Sequence, residues 1–401
     1  MFKKILKSYD YSLIIVVALL CIFGLIMVYS SSMVMAVQYY GQEADFFYNK
    51  QMRSLIIACL AFIVTALFPY KALQSNRILV PMVFLSLLGL TLVSLIGNVT
   101  NNAQSWIKFG TSSIQPSEFV KLSIIIYLSA VYAKKQSYIN EFNKGVVPPL
   151  FYLILCCVLV ATEPDYGTAA IIFAIAGTII FSSGMNFKNI FKLAFIGVIA
   201  AAPFVLLLRD KIFSDVRLGR VDSFLDPFSS EHGYQLSNAF IALGNGGLQG
   251  LGLGQSIQKM GYLPEGHTDF IMAIIAEELG FLGVSFVLLS LGFIVLKGIF
   301  IALKCKDPFG SLLAIGIASM IGIQSFVNLG GISGVIPLTG VPLPFISFGG
   351  SSLLQLSIAM GILVNVSMFV NYERKYKQKE AKQEVQPEPQ SYADRFSMNR
   401  K

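Results

Sequence analysis

Runs of 16 or more mostly apolar residues recur near 11–30, 54–69, 78–96, 117–133, 147–161, 168–183, 190–208, 269–296, 311–329 and 351–370. Apolarity that continues around the whole helical circumference, rather than alternating or favouring one stripe, predicts helices buried on all sides or set in lipid. About 20 such residues cross a bilayer. The pattern therefore predicts an all-α polytopic integral membrane protein with about ten transmembrane helices, formed by residues 1–370. Lys3, Lys4 and Lys7 precede the first run as they would in a signal peptide, but the length of that run and the nine that follow favour an uncleaved first span. After Val370 charges and two prolines replace the aliphatics, so 371–401 is expected to form a flexible tail.

Composition agrees. The chain is 55% apolar and 13% charged over 401 residues, against about 25% charged in soluble domains. With ten spans both termini share one side, and that side then holds 21 of the 30 Lys and Arg. The excess of short basic loops there predicts cytoplasmic termini, a cytoplasmic tail and an external loop 209–268. The net charge of +8 is thereby matched to anionic lipid headgroups, not nucleic acid. Cys21, Cys59, Cys156, Cys157 and Cys305 include no CxxC pair, which argues against a disulfide framework or a zinc site.

Chemistry is expected on the external side, in 106–117, 163–167, 209–268 and 330–352, because a 60-residue loop exceeds what a connection needs. Both histidines, His232 and His267, lie in that loop. Asp269 stands where the loop meets the next apolar run, and two readings fit it: a helix N-cap, or a rigidly held general base for a hydroxyl presented by a lipid. Glu277 and Glu278, about 12 Å further along the helix, must face a polar cavity or partner, with Lys121 or backbone groups as structural options. Glu118 and Lys121 are three apart on one helix face, so they either pair locally or bind a charged headgroup. The glycine-dense GNGGLQGLGLG (244–254) lacks the Lys-Ser/Thr of a nucleotide-binding loop and predicts a re-entrant or tightly turned segment. With no P-loop, Rossmann, HExxH or GxSxG motif present, any bond-forming reaction needs a substrate that arrives already activated.

Five segments, WIKFGTSSIQPSEFVKL (106–122), EPDYGTA (163–169), GYQLSNAFIALGNGGLQGLGLG (233–254), PEGHTDFIMAIIAEELGFLG (264–283) and PLTGVPLPFISFGGSSLL (337–354), together resemble the SEDS proteins of bacterial wall growth, the group of RodA, SpoVE and FtsW. The segment 217–228, Leu-Pro-Glu before His267 and PLPFIS are closer to the division member, FtsW, than to the elongation member, RodA. The resemblance implies a peptidoglycan glycosyltransferase that polymerises lipid II, releases undecaprenyl pyrophosphate and works with a class B penicillin-binding protein and other division proteins. It also implies a place in the bacterial cytoplasmic membrane, at the division septum, with the active site external. The essential acid of the family falls on Asp269. Substrate-binding candidates are Glu118, Lys121, Arg217, Arg220, Lys259, His267, Glu277, Ser351 and Ser352, with the cations Lys121, Arg217, Arg220 and Lys259 suited to a leaving pyrophosphate. Lipid II carries its own leaving group, so no cofactor is needed for bond energy; a divalent cation (Mg or Mn) is a candidate whose ligands the sequence does not name. The alternatives are a lipid II flippase, the elongation-type polymerase and a non-catalytic scaffold.

Overall fold

A computed structural model of the protein describes residues 2–100, 103–109, 112–207, 214–230 and 233–377. All ten apolar segments are helical. They form α2 (Tyr11–Gln38), α3 (Phe46–Leu67), α4 (Asn76–Ile96), α5 (Pro116–Lys134), α6 (Val147–Thr162), α7 (Tyr166–Ser182), α8 (Phe187–Leu207), α11 (Ile271–Lys304), α12 (Pro308–Ile332) and α13 (Gly350–Tyr372), after a short α1 (Phe2–Leu6). Seven of these are long and apolar enough to cross a membrane, and α6 and α7 are shorter apolar helices. Local chemistry sets several starts: Asp165 and Asp307 accept the N–H of Thr168 and Gly310 at 3.1 Å each. Pro116 and Pro308 occupy first positions, where a missing N–H costs nothing.

The helices alternate in direction. The start of α2 and the end of α13 meet at one face, where Asn371 donates to the Ser8 carbonyl and Tyr9 to that of Ala66; the opposite end is called the distal face below. Helices α5, α12 and α13 fill the centre. The outward sides of α2 and α3 present Ile15, Leu19, Ile22 and Ile26, and Ile56, Leu60 and Val64, an apolar exterior that suits only lipid.

Three features differ from the sequence reading. A three-stranded antiparallel sheet, β1 (Asn98–Thr100), β2 (Ala103–Phe109) and β3 (Ser112–Ile114), covers part of the distal face; strands this short leave no trace in a search for long apolar runs. The 60-residue loop is largely ordered structure, with α9 (Asp215–Leu225) and α10 (Tyr234–Gly246) in its described parts. Helix α2 also runs to Gln38 and α11 to Lys304, eight residues beyond the expected ends in each case. Most of the expected tail, 378–401, and His232 lie outside the described residues.

Helix α11 is interrupted at Gly280 (φ 58°, ψ −153°), a conformation open to glycine alone. The break leaves helical bonds unmade, and the glycine-dense segment after α10 replaces them. Leu251 and Gly252 donate their N–H to the carbonyls of Glu277 and Glu278 at 2.9 Å each, while Phe281 donates to Gly247 at 3.0 Å. The segment thus lies against the helix backbone itself, as its glycine content predicts. Gly246 and Gly250 permit the approach, since a Cβ on either would fall 1.8 Å from the Ala276 oxygen or 2.3 Å from the Glu278 oxygen. Gly246→Ala is expected to lower the thermal unfolding midpoint of the purified protein by an amount matching roughly 2 kcal/mol or more. Gly244→Ala, which meets nothing within 4 Å, is expected to leave it unchanged; equal melts for the two would show that the seam is not tightly packed.

Candidate functional site

The turn before α11 gathers the distal acids. Asp269 is half-buried, and helix capping is not its role: Phe270 holds the N-cap position and no side-chain capping bond forms. The Thr268 hydroxyl lies 2.6 Å from Glu265 Oε2 and 3.2 Å from Asp269 Oδ1. Burial and the nearby negative Glu265 push the Asp269 carboxyl up to about 7, against smaller opposing effects of hydrogen bonds and of Arg220. His267 is buried between Phe47 and Phe348, with ring centroids at 4.5 and 5.7 Å. Burial holds it down to about 4, so it is neutral at pH 7, and its Nδ1 has no protein partner. It anchors the turn through its carbonyl, which accepts the Phe348 N–H at 2.9 Å.

Residues 339–342 form a strap beside Asp269: Gly340 (φ +74°) lies against the carboxylate, and a Cβ there would come 3.7 Å from Oδ2. Two amides on α12, one turn apart, secure the strap. Asn328 Nδ2 donates to the carbonyls of Asp269 (2.7 Å) and Val341 (2.8 Å). Gln324 donates to the Pro342 carbonyl at 3.1 Å and accepts from Lys121 at 3.0 Å. Lys121 in turn pairs with Glu118 at 2.8 Å, both fully buried. The ion pair therefore supports the strap from α5.

Glu277 and Glu278 use partners other than Lys121. Glu278 pairs with Lys259 at 2.8 Å and accepts from Ser30; Glu277 accepts a short bond from Ser256 and the Gln258 N–H at 3.2 Å. These acids clamp 256–259 onto α11 and α2, and Lys259 is enclosed by them. The arginines of α9 differ. Arg217 stacks on Tyr166 with its guanidinium carbon 4.3 Å from the ring centroid and donates to the Pro164 carbonyl, and Arg220 is near enough for its charge to act on Asp269. In the same turn Glu163 is buried with no protein partner for either carboxylate oxygen, and burial, reinforced by Asp165, pushes it up to about 8. Ser351, at the start of α13, accepts the Gln115 N–H and donates to the Ser113 carbonyl, fixing β3 to the bundle. Ser352 is buried beside it.

Arg220 thus acts on Asp269 through its charge and His267 lies two residues before it in the same turn, while Lys121, Lys259, Glu118 and Glu277 serve ion pairs and clamps. Asn328 and Gln324 escaped the sequence reading, which assigns no site role to Glu265 or Thr268. The first two carried a signal, being amides four apart within an apolar run. Glu265 stands in the Leu-Pro-Glu that marks the likeness to the division member, with no site role attached to it there. Among the described residues no group of three or more His, Cys, Asp or Glu is disposed to hold a metal.

Comparison with known proteins places this geometry. Residues 10–372 match the family of cell cycle proteins typified by FtsW, RodA and SpoVE. The chain is 55% identical to the probable peptidoglycan glycosyltransferase FtsW of Bacillus subtilis, over 95% of this chain and 96% of that one. It is 40% identical to stage V sporulation protein E of the same organism, over 91% and 98% respectively. Among solved structures, a chain from work on polymerisation and crosslinking by a peptidoglycan synthase complex superposes with a TM-score of 0.70 at 24% identity, over 90% of this chain and 98% of that chain. The rod shape determining protein RodA of Thermus thermophilus superposes with a TM-score of 0.65 at 24% identity, over 90% and 96%. These two share the fold.

The buried Glu118–Lys121 pair yields a direct test. Lys121→Met leaves a carboxylate buried without its cation and is expected to cost about 3–5 kcal/mol of stability. Adding Glu118→Gln is expected to restore most of the melting temperature. A double variant as unstable as the single one would show that pairing is not what Lys121 provides.

Proposed function

The chain belongs to the FtsW, RodA and SpoVE family of cell cycle proteins, and from that membership we propose that it is a peptidoglycan glycosyltransferase which extends glycan strands from lipid II with Asp269 as general base. The observation that carries the reading is a half-buried carboxylate, raised to about 7, at a rigid turn on the distal face. An ordinary Asp, near 4, is a poor base for a sugar hydroxyl, and desolvation makes this one stronger. In the proposed step the 4-hydroxyl of the acceptor attacks the donor's anomeric carbon. Its proton passes to Asp269, and the carbon–oxygen bond to pyrophosphate breaks with the electron pair leaving on phosphate. Arg220, with Arg217 behind it on the same helix, is the cation available for that charge. No step is routed through a metal, since the described residues do not form a cage for one; a divalent ion carried by the pyrophosphate itself would fit.

Placement of charge favours polymerase over flippase. The buried Asp, Glu, Lys, Arg and His side chains among the described residues are Glu118, Lys121, Glu163, Lys259, His267, Glu277 and Glu278, and all belong to the distal half. A flippase needs a polar route through the other half as well. Cytoplasmic termini, an external site, a septal location, other division proteins and a class B penicillin-binding protein that cross-links the product complete the proposal. The likeness to a chain of a peptidoglycan synthase complex supports the partnership.

Two experiments test this. Purified protein with its partner is expected to polymerise lipid II, and Asp269→Asn to lower that rate by roughly a hundredfold or more. A raised carboxyl favours folding only while protonated, a contribution present below about 4 and lost as pH rises through about 7. The Asn variant is therefore expected to be at least as stable as wild type at pH 8. A stable variant that keeps most of its activity would remove Asp269 from the chemistry. For topology, a single cysteine in place of Leu225, 73% exposed on α9, is expected to react with an impermeant reagent from outside the cell; labelling from the cytoplasmic side alone would invert the orientation.

A further inference from the structure

Removing the proton from Asp269 poses its own problem. A base that has taken a proton must lose it before the next sugar is added, and the side-chain hydrogen-bond partner of the Asp269 carboxylate is the Thr268 hydroxyl. The neutral His267 offers no route, because its ring is enclosed by Phe47 and Phe348. Thr268 and Glu265 do. The hydroxyl has one hydrogen and three acceptors in reach, and the 2.6 Å approach to Glu265 Oε2, shorter than those to the Glu265 carbonyl (3.1 Å) and Asp269 Oδ1 (3.2 Å), is the one that takes it. Its lone pair then faces Asp269 Oδ1 at 3.2 Å, which suits a protonated Asp269 as donor.

Resting on the reading of Asp269 as base, we propose that Glu265, acting through the Thr268 hydroxyl, is the second carboxylate of the site and the exit for the proton that Asp269 removes. As the acceptor oxygen bonds to the anomeric carbon, its O–H bond breaks and the proton joins Asp269. Asp269 then gives a proton to Thr268 Oγ while Thr268 gives its own to Glu265 Oε2. Asp269 is again a carboxylate, Thr268 is unchanged and Glu265 carries one proton, which leaves from its half-exposed side chain to water. No redox partner is involved.

The charges around Asp269 agree with this division of labour. Glu265 raises it, Arg220 on α9 opposes, and α12 and the strap contribute only the neutral Asn328, Gly340 and Val341. Both carboxylates thus flank one hydroxyl, which gives a proton leaving Asp269 a hydrogen-bonded path to Glu265.

The test is the pH dependence of lipid II polymerisation by the full-length protein reconstituted with its transpeptidase. Glu265→Gln removes the negative neighbour, so the acid limb of the rate profile is expected to move to lower pH by about half a unit or more. Its maximum rate is expected to fall by roughly tenfold, less than the loss on removing the base itself. Thr268→Val is expected to lose a similar fraction of the rate and Thr268→Ser to recover it, with KM for lipid II unchanged throughout. A merely structural role for Glu265 would leave the acid limb in place. Glu265→Gln with wild-type limb and rate, or Thr268→Val with wild-type rate, would overturn the relay. Should Glu265→Gln fail to fold, the Thr268 pair decides. Asp269→Asn in the same series separates the two claims: its activity would sink the base, whereas its inactivity beside an unaltered Glu265→Gln profile would sink the relay alone.

Discussion

The seam between the glycine-rich segment and the broken helix α11 governs the distal end of the molecule. Lipid offers no hydrogen bonds, so the carbonyls released at Gly280 must be answered by protein, and Leu251 and Gly252 answer them. That exchange anchors 246–260. Ser256 and Lys259 on the same segment then meet Glu277 and Glu278, so the side chains repeat what the backbones have joined. The turn 261–270 leaves this block and enters α11 within a few residues, and Asp269 inherits the rigidity of both.

Buried acids in this bundle sort by whether they own a cation. Glu118 has Lys121 and Glu278 has Lys259, each at 2.8 Å, and these carboxylates are occupied. Asp269 has no such ion pair, only a hydroxyl at 3.2 Å and the field of Arg220 against that of Glu265. Desolvation without full compensation pushes it up to about 7, as burial pushes the partnerless Glu163 up to about 8. The paired acids and lysines instead stiffen the frame: Lys121 reaches Gln324, Gln324 holds Pro342, and Asn328 ties Val341 to Asp269.

Much of the architecture was legible in the residues because membrane helices announce themselves by length and apolarity, and all ten apolar runs are helices. The re-entrant character of 244–254 was legible for a related reason, since six glycines beside a span have few other uses. What stayed hidden depends on contacts between distant segments. The sheet at 98–114 has strands too short to register, and α9 and α10 are helices too polar to stand out in a scan for spans. Asp269 was visible at a boundary, yet beyond Glu265 and Thr268 its environment comes from residues 49 to 71 positions away, Arg220 in α9, Asn328 in α12 and Gly340 in the strap. Of the structural partners read for Glu277 and Glu278, backbone groups are found in the N–H of Gln258 and Ser256, whereas Lys121 matched by charge and gives way to Lys259, which the fold of a loop brings to Glu278. The match over residues 10–372 adds the family, on which the proposal of Asp269 as base rests.

The account stands or falls on the protonation of one side chain. Infrared difference spectroscopy of the full-length protein in lipid, with Asp269→Asn as the reference, reads the carboxyl stretch of Asp269 as pH is varied. The account predicts that this carboxyl loses its proton near pH 7. A band that titrates near pH 4, as an ordinary solvated aspartate does, would contradict it.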